Sequence, residues 1–213
     1  MGRCVKKKSL FITFEGIEGS GKSYQSKKLY EKIKKIGLSC FLTREPGGSI
    51  GAEKIRKIIL TGKKNKFSIV TDTLLYLAAR NEHIENKLIP LIKKKNIIIC
   101  DRFIDSTLAY QVYGKGVNRK LVDNIHKDIL RKIKPDLTVI LTVSLSKAFQ
   151  RMKKRKKLNR YDKFSKTFYK KVQNAFIKIA KKNRKKYLIL DNTSNSINAE
   201  KAIFKKFTKL LNK

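Results

Sequence analysis

Eight consecutive residues, Gly16-Ile17-Glu18-Gly19-Ser20-Gly21-Lys22-Ser23, have the spacing of a phosphate-binding loop. Glycines let the backbone wrap so that its N–H groups, and the positive end of a following helix, point at polyphosphate oxygens. Lys22 then reaches the terminal phosphates and Ser23 offers its hydroxyl to Mg²⁺. The octet predicts a bound nucleoside triphosphate. Two further segments add charge. The apolar run Ile97-Ile98-Ile99-Cys100 ends in Asp101 and Arg102, which places an acid for Mg²⁺ or its waters beside a cation for phosphates. Thr43-Arg44-Glu45-Pro46-Gly47-Gly48 follows another such run, with a rigid Pro-Gly-Gly turn and Arg44 at the sheet edge where ligands of doubly wound folds bind.

Lys22, Arg44 and Arg102 therefore converge on transferring phosphates. That chemistry needs alignment and charge neutralisation more than a general base, because an ionised phosphate is itself the nucleophile. His83 and His126 stand in helical stretches amid polar neighbours and are expected on the surface without a role.

Such a constellation must be held by a sheet, and short apolar runs do alternate with helical patterns, the sign of parallel strands covered on both faces. The strands are expected at 10–14, 39–43, 97–100, 137–143 and 187–190. Helical spacing appears in Ile55/Ile58/Ile59, Leu74/Leu77/Ala78, Leu121/Ile125/Ile129, Tyr169/Val172/Phe176/Ile179 and Ile203/Phe207/Leu210. The 213 residues read as one α/β domain, 1–213, a doubly wound five-stranded parallel sheet with helices on both faces. Residues 151–163 carry many cations and almost nothing to bury, and are expected to be a mobile surface segment.

A net charge of +37, from 53 Lys and Arg against 16 Asp and Glu, raises nucleic acid as a partner. The lysines, however, are scattered over almost every helix, as in Lys27-Lys28, Lys93-Lys94-Lys95 and Lys181-Lys182, so no specific nucleic-acid partner is expected. The amino end lacks the pattern of a signal peptide and no apolar run reaches membrane-spanning length, so a cytoplasmic protein with no membrane partner is expected. Cys4, Cys40 and Cys100 are widely separated, which suits reduced thiols better than disulfides or a metal site.

With these segments in view the chain resembles the thymidylate kinase family over essentially its whole length. The resemblance rests on residues 15–23, Arg44-Glu45-Pro46-Gly47-Gly48 with Gly51 and Arg56, Ala78-Ala79-Arg80, and above all Asp101-Arg102-Phe103-Ile104-Asp105-Ser106-Thr107-Leu108-Ala109-Tyr110-Gln111. It implies a P-loop kinase fold with a lid at about 151–163, ATP and Mg²⁺ as cofactors, dTMP as acceptor, and a homodimer. Residues 16–23 would hold ATP, with Ser23 and Asp101 toward the metal, and Arg44 and Arg102 would grip the acceptor phosphate. Glu18 would hold the 3′-hydroxyl, while its neighbour Glu15 is structural. Tyr76, where the family usually has Phe, would stack on the base, and its hydroxyl needs a partner. Arg80, Thr107 and Gln111 would meet the base edge, and Tyr110 would exclude a 2′-hydroxyl. In one branch a basic residue sits inside the loop, where this chain has Gly19. The resemblance therefore points to Arg151 near the adenine and Arg155 over the phosphates, with Arg160 as a second possibility. The loop at Leu190-Asp191-Asn192-Thr193-Ser194 would lie against adenine, although capping alone explains such a composition. Alternatives are another deoxynucleoside monophosphate kinase or a nucleic-acid-stimulated ATPase. A GTPase would be expected to carry an Asn-Lys-x-Asp motif, which the sequence lacks.

Overall fold

The computed structural model describes residues 9–63, 65–154, 160–194 and 196–212. Its strands are β1 (Leu10–Glu15), β2 (Cys40–Arg44), β3 (Ile97–Asp101), β4 (Leu137–Thr142) and β5 (Tyr187–Asp191), all parallel, in the order β2-β3-β1-β4-β5. All five expected strands are present. Four of them, β1, β2, β3 and β5, run one residue further than the apolar pattern suggests, so Glu15, Arg44, Asp101 and Asp191 are their final residues. A strand continues as long as ladder partners exist, and Phe14 pairs with Asp101 as Asp101 pairs with Arg44.

The helices are α1 (Lys22–Lys35), α2 (Ile50–Leu60), α3 (Ile69–His83), α4 (Ile89–Lys93), α5 (Ile104–Thr107), α6 (Arg119–Ile129), α7 (Leu145–Lys153), α8 (Lys166–Lys181) and α9 (Ser196–Leu211). β1 is buried along its whole length because both faces are covered. Leu10, Ile12 and Phe14 pack with Leu29 and Ile33 of α1 and Ile203 and Phe207 of α9, whereas Phe11 meets Ile84, Leu88, Leu91 and Phe103 on the other face. Residues 84–93, 104–114 and 145–153 are not legible as helices in the sequence. In the first two the 3.6-residue period is interrupted by π-helical turns at Ile84–Leu88 and Leu108–Gly114, which widen the spacing of apolar positions. The third has its basic Arg151 and Lys153 beside the two residues it buries, Ala148 and Met152.

The expectation of a mobile 151–163 surface segment fails at both ends. Arg151–Lys153 finish α7, and Arg160–Lys163 form a 3₁₀ turn in which Arg160 and Tyr161 are buried. A cation is tolerated there because Arg160 pairs with the equally buried Asp72. The middle of the stretch, 155–159, lies outside the described residues.

Candidate active site

In this strand order the connection leaving β1 runs toward β2, and the one leaving β3 runs past β1 toward β4. The carboxyl ends of β1 and β3 are thus the switch point where open α/β sheets bind ligands. A cavity of about 210 Å³ opens there. Among its lining residues are Glu18, Lys22, Ser23, Arg44, Tyr76, Arg80, Asp101, Arg102, Thr107, Tyr110 and Gln111. The sequence singles out each of these, and the fold brings them together although they are spread over nearly a hundred positions of chain.

The loop after β1 wraps as a phosphate cradle must. Gly19 has φ +75°, and a Cβ on it would stand 2.5 Å from the Ala148 carbonyl oxygen, so no side chain fits inside the loop here. An arginine arrives from outside instead. Arg151 of α7 donates from Nη1 to the Gly19 carbonyl at 3.0 Å, and from Nη2 to the Asn192 and Thr193 carbonyls at 2.9 and 3.1 Å. Asn192 in turn donates from Nδ2 to the Ser20 carbonyl at 2.7 Å. The turn after β5 is therefore sewn to the phosphate loop, a tertiary role beyond capping.

Lys22 is buried, its Nζ donating to the Ile17 carbonyl at 2.8 Å. Burial, and then the nearby Arg102 charge, bring its pKa down to about 8. Ser23 Oγ donates to Asp101 Oδ2 at 2.6 Å. Among the described residues no group of three or more His, Cys, Asp or Glu forms a metal cage. A hydroxyl and one carboxylate beside a phosphate loop form instead the hard-oxygen pair that Mg²⁺ takes when substrate phosphates and water complete its shell.

Arg102 has φ +74° and spans the loop and the acceptor side. Its Nη1 donates to the Gly16 carbonyl at 2.9 Å and Ser106 Oγ at 3.1 Å, and its Nη2 donates to Glu18 Oε1 at 2.8 Å. The Tyr110 hydroxyl donates to Glu18 Oε2. Burial alone would raise the Glu18 carboxyl, but the Arg102 and Lys22 charges overcome it and hold its pKa below the ordinary value. Glu15 is fully buried and accepts from the Phe103 and Ser106 N–H groups at 2.7 and 3.2 Å, and from Ser106 Oγ at 2.5 Å. It pins the Asp101-Arg102 turn to β1, while burial and then Asp105 push its carboxyl up to about 8.

His83 and His126 are not on the surface: both are buried. Arg80 explains why. Its Nε donates to Glu45 Oε2, its Nη1 to Thr107 Oγ1 and its Nη2 to the Phe103 carbonyl, each at 2.8 Å. Nη1 also lies 2.7 Å from His126 Nε2. A guanidinium only donates, so His126 Nε2 accepts and the ring is neutral. Burial and then Arg80 lower the His126 pKa to about 3. His83 bridges Glu45 Oε1 at 3.0 Å and Thr43 Oγ1 at 2.8 Å. The histidines are thus the outer supports of an Arg80–Glu45 ion pair, and only the fold reveals it, since their sequence neighbours are polar.

Around the cavity, Arg44 is half-exposed and paired with Glu53 at 3.2 Å, whose Oε1 also accepts from the Gly48 N–H at 3.0 Å. Arg56 donates to the Pro46 carbonyl, and burial followed by the Arg44 charge lowers its pKa. The sequence alone assigns Arg56 no role, although its place in α2 shortly after the Arg44 turn is an available signal. Tyr161 and Leu60 also line the cavity without being singled out as site residues by their sequence context. Tyr161 meets Tyr76 edge-on at 5.9 Å and Tyr110 at 6.0 Å. Arg160 faces Asp72 rather than the loop, so it is no second candidate over the phosphates. Arg155 lies outside the described residues.

A sequence model of the family described as thymidylate kinase matches residues 14–203. The chain is 37% identical over 199 residues to the thymidylate kinase of Pelobacter propionicus, covering 91% of each sequence. It is 45% identical over 177 residues to that of Orientia tsutsugamushi, covering 80% of each. Among solved structures, the crystal structure of thymidylate kinase from Ehrlichia chaffeensis superposes with a TM-score of 0.75 at 34% identity, over 95% of this chain and 99% of that one.

Proposed function

The chain belongs to the thymidylate kinase family, and from that premise we propose that the cavity takes dTMP as acceptor while residues 16–23 take ATP with Mg²⁺, yielding dTDP. The observation that carries this reading is the meeting of Lys22, Arg44, Arg56 and Arg102 in one cavity with Tyr76, Arg80, Thr107 and Gln111. Cations hold phosphates, and an aromatic ring with amide-matching polar groups fits a pyrimidine.

The acceptor phosphate attacks without a general base. Arg102 and Arg44, with Arg56 beside them, hold and orient it, and its arrival relieves the mutual repulsion of these cations. Lys22 supports the transferring group, which lets the ammonium keep its proton. Ser23 and Asp101 would hold Mg²⁺, which would supply charge neutralisation at the donor phosphates. Glu18, fixed by Arg102 and Tyr110, accepts from the 3′-hydroxyl, and the Tyr110 ring fills the space a 2′-hydroxyl needs. The Tyr76 ring stacks on thymine, with Arg80, Thr107 and Gln111 at its edge. Arg151 closes the seam between the loop and the adenine side.

A coupled ADP-release assay across dTMP, dUMP, UMP, dCMP and thymidine, with and without duplex DNA, tests the reading. Preferred turnover of dTMP is expected; equal turnover without acceptor, or stimulation only by DNA, overturns it. Tyr110→Phe removes one partner of the Glu18 carboxylate while keeping the ring, and should raise KM for dTMP about tenfold, the worth of a hydrogen bond to a charged group. Unchanged KM at unchanged Tm would remove Tyr110 from this role.

The lid at about 151–163 is anchored at its ends by Arg151 and Arg160, and within it Arg155 is the cation delivered to the transferring phosphoryl. Arg155→Ala should lower kcat about 10²-fold with little change in KM for dTMP, as for an interaction made mainly in the transition state. An equal fall in the control Lys153→Ala would refute a specific arginine.

The protein acts as a homodimer in the cytoplasm. Ile50 of α2 and Ile69, Val70 and Leu74 of α3 are exposed apolar side chains, Val70 and Leu74 one turn apart, and a second copy would cover them. Sedimentation velocity at micromolar concentration should give a dimer; a monomer would rule it out. Buried free thiols at Cys40 and Cys100 suit a reducing compartment.

A further inference from the structure

Behind one wall of the cavity lies a buried ion cluster that the transfer chemistry does not use. Asp72 of α3 accepts from Lys115 Nζ at 2.7 Å through Oδ2 and pairs with Arg160 through Oδ1. A carboxylate between two cations only accepts, so the Tyr161 hydroxyl, 2.8 Å from Asp72 Oδ2, must donate to it. That uses the one proton the hydroxyl has. A group approaching the same oxygen has to bring its own proton, as Lys115 Nζ does at 3.2 Å. The side-chain amide of Gln111 also faces this oxygen, 3.4 Å away. Tyr161 is held in place from behind, because the Tyr169 hydroxyl donates to its carbonyl at 2.6 Å.

A side-chain amide offers an acceptor on one side and a donor on the other, and a half-turn about its last bond exchanges them. A hydroxyl with no proton to give settles which way Gln111 faces. Its Nε2 takes the Tyr161 side, and Oε1 is left for the cavity that Gln111 lines. Gln111 itself is buried in the π-helical turn Leu108–Gly114, and its carbonyl accepts from the Val117 N–H at 3.0 Å. We infer that Tyr161, held by Asp72, is a positioning residue that sets base specificity: it fixes the Gln111 amide with its oxygen toward the acceptor base, an inference that rests on the dTMP reading above. Thymine and uracil carry an N–H at ring position N3, whereas cytosine has a bare lone pair there. Against a fixed Oε1 the first two form a hydrogen bond, and cytosine sets two acceptors face to face. An amide free to turn would present oxygen to one base and NH₂ to the other, and would not discriminate. The selection therefore depends on three separate pieces of chain: Asp72 on α3, Lys115 just after the turn that carries Gln111, and Arg160 with Tyr161 at the root of the proposed lid.

Tyr161→Phe, Gln111→Leu and the double variant test this through KM for dTMP, the competitive inhibition constant of dCMP, KM for ATP and Tm. Phenylalanine keeps the ring and leaves Asp72 paired with Lys115 and Arg160, so the variant should fold. With the hydroxyl gone the amide can turn, and dCMP should bind about five- to tenfold more tightly. KM for dTMP should rise by only about twofold, the factor for a group correctly placed half the time, and KM for ATP should stay within the same range. Gln111→Leu should raise KM for dTMP about three- to tenfold. Adding Tyr161→Phe to it should then move the dCMP constant by no more than about twofold, because no amide is left to turn. A purely structural role weakens every ligand together as Tm falls, and it cannot tighten dCMP. Binding of dCMP no tighter in Tyr161→Phe than in the wild type overturns the inference, as does a gain that persists in full in the Gln111→Leu background. Should Tyr161→Phe fail to fold, Gln111→Leu carries the test alone: it should weaken dTMP without weakening dCMP, and an equal loss of both overturns the inference. A wild-type protein inert toward dTMP would overturn the underlying function reading and the inference with it, whereas an active wild type with indifferent variants overturns the inference alone.

Discussion

Arg102→Lys is expected to lower kcat/KM for dTMP by about 10³-fold even though it keeps the positive charge. The guanidinium bridges the Gly16 carbonyl, Ser106 Oγ and Glu18 Oε1 from two nitrogens, with the Tyr110 hydroxyl 3.4 Å from one of them. An ammonium is a single point with three donors and cannot span acceptors that lie on a loop, a helix and a carboxylate. Glu18 would lose the direct hydrogen bond to its principal counter-charge, and its carboxyl would rise from its lowered value just where it must accept from the 3′-hydroxyl. Two charge-assisted hydrogen bonds at about 1.5–3 kcal/mol each give roughly 4 kcal/mol, which is the stated factor. The positive φ of Arg102 matters as well, since it turns this side chain back over the loop rather than along β3. A fall of less than tenfold, at unchanged Tm, would show that position 102 contributes charge alone.

Much of this site is legible in the amino-acid sequence because local chemistry fixes it. A phosphate loop needs its glycines and its Lys-Ser ending at fixed spacing, and the Asp-Arg pair sits at the end of an unmistakable apolar strand. Each of those signals lies within a dozen residues of chain. The inner strands β1, β3 and β4 are legible for a similar reason, since strands buried on both faces leave continuous apolar runs.

Other features depend on contacts distant in sequence and leave no local trace. His126 carries polar neighbours and reads as exposed, yet it is drawn inside by an arginine 46 positions away. Arg160 reads as one more cation in a basic stretch, but Asp72, far earlier in the chain, gives it a buried counter-charge. In a chain so rich in lysine, the composition around a residue says little about which side of the surface it occupies. Tyr76 shows the boundary between the two cases: its aromatic ring is evident from residue type, but the ring it meets edge-on, Tyr161, lies far along the chain and is not.

The Arg80 network should give the largest loss of stability. Glu45→Ala leaves Arg80 buried without its carboxylate and strips His83 of a partner, and removing one member of a buried ion pair costs about 3–5 kcal/mol. For a domain of this size that corresponds to a Tm lower by about 6–20 °C. The same network sets an acid limit. In the unfolded chain a histidine titrates near 6.5, whereas folded His126 is held neutral down to about 3 by burial and by Arg80. Between those values the unfolded state binds the extra proton, so stability is full above about pH 6.5 and falls as pH drops toward 3. Glu45 acts in the same direction, because Arg80 and then His83 overcome burial and hold its carboxyl below the ordinary range, so its contribution too is lost on acidification. His126→Gln presents an amide oxygen where Nε2 accepts and has nothing to titrate. Its Tm should decline less steeply than the wild type's between about pH 6.5 and 4, while the two differ little at about pH 8. Parallel declines would mean that His126 is not the group that takes up the proton, and Glu45→Gln would then be the variant to compare.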